Sequence, residues 1–111
     1  MNSLFIGRYQ PFHEGHIKLI DSVLSEGKSV VIAVRDTELS KENPYTLEER
    51  LEMIRNVYGG NNKVLIIPIP DIAEVCYGRA VGWSMREIRL DEGTESISAT
   101  EIRKRGSNDN K

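Results

Sequence analysis

Cysteine and histidine are scarce in this 111-residue chain, which has one Cys and two His. A lone thiol, Cys76, cannot close an internal disulfide, and it fits a reducing, cytoplasmic setting. Structural zinc takes four ligands, so one cysteine and two histidines fall short, and no protein metal site is expected. Basic excess is missing too. Fifteen Lys and Arg against seventeen Asp and Glu leave a formal net charge of -2. Nucleic-acid and membrane-surface binders are usually basic, so neither partner is expected. No apolar run approaches the roughly 18 to 20 residues that span a bilayer, and no signal-peptide pattern opens the chain. Repeats and low-complexity stretches are also lacking. What remains reads as one compact domain over residues 1–105, with 106–111 as a flexible tail.

The apolar residues are grouped as an α/β protein requires. Ser3 to Gly7 is a short apolar run ending in glycine and reads as a buried strand. Ile17, Leu19, Ile20, Val23 and Leu24 follow helical spacing, and Gly27 is placed to stop that helix. Ser29 to Val34 is β-branched and nearly all apolar, as in a central parallel strand covered on both faces. Asp36 to Tyr45 is polar, contains Pro44 and reads as a loop. Thr46 and Glu49 make a capping box, with Leu47, Leu51, Ile54 and Val57 on the helical face that follows. Lys63 to Pro68 is a third strand, with Pro68 and Pro70 marking its exit. Arg86 to Leu90 alternates charged and apolar residues like an edge strand, and Ser98 with Glu101 opens a last helix. The order predicts a Rossmann-like, doubly wound, mostly parallel sheet flanked by helices. Ligands in such sheets bind beyond the carboxyl ends of the strands.

Both histidines fall at one such end. His13-Glu14-Gly15-His16 follows the first strand and sits where a helix begins, beside unpaired backbone N–H groups that favour anions. With Arg8 close by, the arrangement suits phosphate, above all the phosphate chain of a nucleotide. The spacing is one residue too short for the HExxH zinc motif. Ser98 and Thr100 offer hydroxyls at a helix start, either as a simple cap or as a phosphate cradle, and Arg103 stands one turn on. Asp36, Lys41 and Arg79 are candidates for contacting an acceptor. Arg50 reads equally as a surface residue or as a phosphate ligand, and Tyr77 and Trp83 read as core packing before base stacking.

Gly7-Arg8-Tyr9-Gln10-Pro11-Phe12-His13-Glu14-Gly15-His16 resembles the signature of the HxGH nucleotidylyltransferase superfamily, in wording closest to the archaeal-type nicotinamide mononucleotide adenylyltransferases. Glu42 to Arg50 is similar to the segment that opens the second helix of those enzymes, and Ile97 to Arg103 resembles the ISxTxIR motif. The resemblance implies transfer of a nucleoside monophosphate, with AMP favoured and CMP the alternative. The donor is ATP or CTP, the acceptor a small phosphorylated or anionic molecule, and pyrophosphate is released. It implies His16 on the α-phosphate, His13 on the outer phosphates, and Gly7, Arg8, Gly15, Ser98, Thr100 and Arg103 as nucleotide contacts. Mg²⁺ would arrive on the triphosphate. Small members of the superfamily pair, so a homodimer is one assembly the resemblance allows.

The stretch between the third strand and ISxTxIR is shorter here than in the archaeal enzymes. The compact length resembles the glycerol-3-phosphate cytidylyltransferases, but Gly93 stands where their RTEGISTT motif has arginine. The acceptor stays open at this point. A non-catalytic nucleotide-binding sensor is the alternative to an enzyme.

Overall fold

The computed structural model describes residues 2–79 and 81–88. Three strands, β1 (Asn2–Gly7), β2 (Ser29–Asp36) and β3 (Val64–Pro70), alternate with two helices, α1 (Glu14–Leu24) and α2 (Leu47–Tyr58). The strands form one parallel sheet in the order β1-β2-β3, with Phe5 opposite Ile32 and Ile32 opposite Ile66. Parallel neighbours need crossover connections, and the helices supply them, so the Rossmann-like α/β expectation holds.

Side chains alternate across a strand, which sorts the sheet into two faces. Val30, Ile32 and Val34 of β2 form one core with Ile20 and Val23 of α1 and Leu51, Ile54 and Tyr58 of α2. Both helices therefore pack on the same face, as two right-handed crossovers in one direction demand. On the other face Leu4 of β1 and Leu65 of β3 are 60% and 58% exposed, whereas Ala33 of the central strand β2 is buried. The Tyr58 hydroxyl joins the helices by donating to Asp21 Oδ1 (2.7 Å).

Several local expectations shift. The buried face of α2 ends at Tyr58, and Val57 is exposed, because the helix turns its wider aromatic to the core. α1 stops at Leu24, and Gly27, at φ +83°, reverses the chain three residues later in the left-handed conformation that glycine tolerates. Pro70 ends β3 as expected, whereas Pro68 lies inside it, a position that an edge strand of the described sheet accepts because one side of its backbone needs no partner.

Residues 86–88 form no strand. Arg86 makes a two-pronged pair with Glu26 (2.8 and 2.6 Å), and Ile88 packs against the core, so the alternation reflects a tethered irregular segment. Tyr77 and Trp83 contact each other edge to face (5.2 Å) but are 55% and 46% exposed, so they are not core. Leu90 and the expected helix from Ser98 lie outside the described residues.

Candidate active site

Gly7 pairs with Val34 across the β1–β2 ladder, so the Arg8–His13 turn leaves the sheet at the end where Arg35–Asp36 finish β2. Three features build the site there. Tyr9 enters the left-handed region at φ 54° and turns its ring back into the core. That ring lies over Gly7, where an added Cβ would stand 2.9 Å from the Tyr9 ring tip. Gly7 thus serves Tyr9 packing, a role the sequence alone did not separate from nucleotide contact.

His13 is the N-cap of α1 and His16 its third residue, so the two histidines complete a reciprocal capping box. Ring nitrogens do here what a serine or threonine oxygen does elsewhere. Gly15 N donates to His13 Nδ1 (3.0 Å), and His13 N donates to His16 Nδ1 (3.1 Å). An Nδ1 that accepts a hydrogen bond carries no proton. Each neutral ring therefore holds its proton on Nε2, the remaining polar atom, as a donor.

The rings stand 3.8 Å apart, centroid to centroid. Phe12 stacks parallel to His16 (5.5 Å, 7°), and Tyr9 meets it edge to face (4.8 Å, 84°). This apolar surround, followed by the neighbouring His13, lowers the His16 pKa from 6.5 to about 3, and burial lowers that of His13 as well. Between pH 6.5 and about 3 the unfolded His16 is protonated while the folded ring is not. The unfolded state then binds the extra proton, so this group's stabilisation is full above pH 6.5 and is lost as pH falls through that window. At neutral pH the pair is uncharged. It can donate to anions without being an ion pair.

The loop from Thr37 to Tyr45 closes on this turn. Arg8 Nη1 donates to Asn43 Oδ1 (3.0 Å), and Asn43 is itself fixed by Ser40 through backbone and side chain. Gln10, 1% exposed, acts like a strand partner to Tyr45: its amide donates to Tyr45 O (3.1 Å) and accepts from Tyr45 N (3.0 Å). It also donates to Thr37 Oγ1 (3.2 Å).

Below the loop lies Arg50, neither surface residue nor phosphate ligand but fully buried. Its Nε donates to Thr46 O (3.1 Å), and its Nη1 donates to Arg8 O (2.8 Å) and Arg35 O (2.7 Å). Among the described residues its Nη2 has no hydrogen-bond partner.

The structure brings together Gly7, Arg8, His13, Gly15 and His16. Asp36 ends β2 at the same edge, exposed, and Lys41 is exposed on the loop that holds Asn43. Arg79 lies exposed in an irregular segment, with no contact to these groups among the described residues. Ser98, Thr100 and Arg103 lie outside the described residues. Tyr9, Gln10, Phe12, Asn43 and Arg50 were missed as site builders. Only the closeness of Tyr9, Gln10 and Phe12 to the histidines in sequence could have signalled them. A cavity of about 110 Å³ opens beside His16, lined by Phe5, Gly7, Tyr9 and Leu19 among others.

Comparison with known proteins matches this construction. Residues 4–76 fit the family described as cytidylyltransferase-like. A nicotinamide-nucleotide adenylyltransferase of Pyrococcus horikoshii is 38% identical over 65% of this chain, which spans 41% of that protein. One from Methanococcus aeolicus is 32% identical over 133 positions, covering 95% of this chain and 77% of the relative. The matched stretch exceeds the chain's own length, so that relative holds residues with no counterpart here. A bifunctional NMN adenylyltransferase/ADP ribose pyrophosphatase from Francisella tularensis, crystallised with AMP and a Mn ion, superimposes with TM-score 0.56 at 34% identity. That match covers 63% of this chain and 22% of the other. Fold, turn and matched residues agree, and the chain belongs to the cytidylyltransferase-like family.

Proposed function

We propose that this chain moves AMP from ATP onto a small phosphorylated acceptor and releases pyrophosphate. The observation that carries the reading is the histidine capping box, which leaves two neutral Nε2–H donors beside a helix N-terminus. In the reaction an acceptor phosphate oxygen attacks the α-phosphorus. The new P–O bond forms as the bond to the bridging oxygen breaks, and the electron pair leaves with pyrophosphate. The attacking oxygen is already an anion, so no protein base is needed, and catalysis rests on position and charge stabilisation.

In this reading His16 donates to the α-phosphate oxygen that gains charge, and His13 to the outer phosphates. Arg8, steadied by Asn43, neutralises phosphate. Ser98, Thr100 and Arg103 complete the grip on the outer phosphates, and Asp36, Lys41 and Arg79 are the acceptor candidates. No three His, Cys, Asp or Glu side chains converge on a metal position among the described residues. In this reading the divalent ion arrives on the substrate, held by triphosphate oxygens and water.

The adenylyltransferase names of the relatives favour ATP and give CTP no support. Nicotinamide mononucleotide, a phosphate monoester, is the first acceptor to test. Pyrophosphate release measured with Mg–ATP or Mg–CTP, across nicotinamide mononucleotide and other phosphomonoesters, is expected to be acceptor-dependent with ATP. Tight binding of both triphosphates without turnover of either would favour the sensor instead.

A further inference from the structure

We propose that Arg50 is a positioning residue for the triphosphate site, acting through Arg8; this rests on the nucleotidyl-transfer reading above. Arg50 is hydrogen-bonded to three separate parts of the site's frame: the start of α2, the turn after β1 and the end of β2. A single amino group, Nη1, bridges Arg8 O and Arg35 O. It fixes the spacing between the two strand ends from which the phosphate-facing turn and the Asp36 edge emerge. The backbone of Arg8 is thus held from below while its side chain is held by Asn43.

All three acceptors are carbonyls, and no carboxylate among the described residues hydrogen-bonds to the guanidinium. Asp36 and Asp71 act on it only through space. The planar fork matters here more than charge alone. A lysine could keep the charge but not reach all three carbonyls in one geometry. A fully buried guanidinium directed at three backbone carbonyls is an unusual choice for mere packing, since an apolar side chain would fill the space without desolvating a charge.

The test is a double-mutant cycle on Mg–ATP binding and turnover with Arg50→Lys and Arg8→Ala. Arg50→Gln serves as the second Arg50 variant. Arg50→Lys is expected to lower kcat/KM roughly ten- to a hundredfold, as an ångström-scale displacement of a positioned group does. In the Arg8→Ala background that penalty on ATP affinity should largely vanish, because the route through Arg8 is already gone.

Ile54→Val, a core change remote from these carbonyls, controls for lost stability. If it reproduces the Arg50→Lys loss, the role is structural and the proposal is overturned. Additive effects of Arg50→Lys and Arg8→Ala overturn it as well, and so does failure of both Arg50 variants to fold. Unchanged ATP affinity in Arg8→Ala alone overturns the phosphate role of Arg8 in the proposed function, and this inference with it. Additivity overturns this inference only.

Discussion

Replacing His16 with alanine is expected to lower kcat about 10²–10³-fold, the usual loss when one preorganised donor to developing charge is removed. Mg–ATP affinity should fall far less. The asymmetry follows from where the ring is held. His16 is locked by the His13 N–H on one side and by Phe12 and Tyr9 on its faces, so its Nε2–H needs no reorganisation as charge grows on the phosphate. A donor fixed this way contributes more in the transition state than in the ground state. Steady-state kinetics beside a direct ATP titration will separate the two. Equal losses in kcat and affinity would assign His16 to plain binding.

Gly7→Ala is expected to destabilise the fold by about 1–3 kcal/mol, the range for overpacking a core, and to reduce turnover as well. The added methyl would meet the Tyr9 ring at 2.9 Å. That ring cannot retreat freely, because it is buried, starts from a left-handed backbone and touches both Phe12 and His16. Any shift that relieves the clash is therefore passed to the His16 imidazole. Urea unfolding should show a lower midpoint at unchanged slope, and an unchanged midpoint would mean that the ring moves without cost.

The β-α-β-α-β order was legible in the sequence because periodicity and caps agree at each element. The β-branched run at Ser29–Val34 became the central strand, and Thr46 with Glu49 formed the reciprocal cap expected of them (3.0 and 3.1 Å). The histidine pair was legible as lying where the first strand hands over to a helix. That His13 would be the cap itself was not, since histidine is a rare stand-in for serine or aspartate there. Arg50 was opaque for a physical reason. A charge on an amphipathic helix reads as solvent-facing, and its burial is explained only by carbonyls from two other segments. Residues 86–88 misled because charged–apolar alternation fits a strand as well as an irregular segment pinned by Arg86 and Glu26.

Resolving the proton on each imidazole tests the central claim most directly. Long-range ¹H–¹⁵N correlation spectra of His13 and His16, recorded from about pH 5 to 8 with and without Mg–ATP, report both tautomer and titration. Both Nδ1 atoms should be bare and both Nε2 atoms protonated. His16 should stay neutral throughout, since its pKa is lowered to about 3, and Mg–ATP should shift the Nε2 signals of both rings. An Nδ1–H tautomer, a His16 titrating near pH 6.5, or spectra indifferent to Mg–ATP would contradict it.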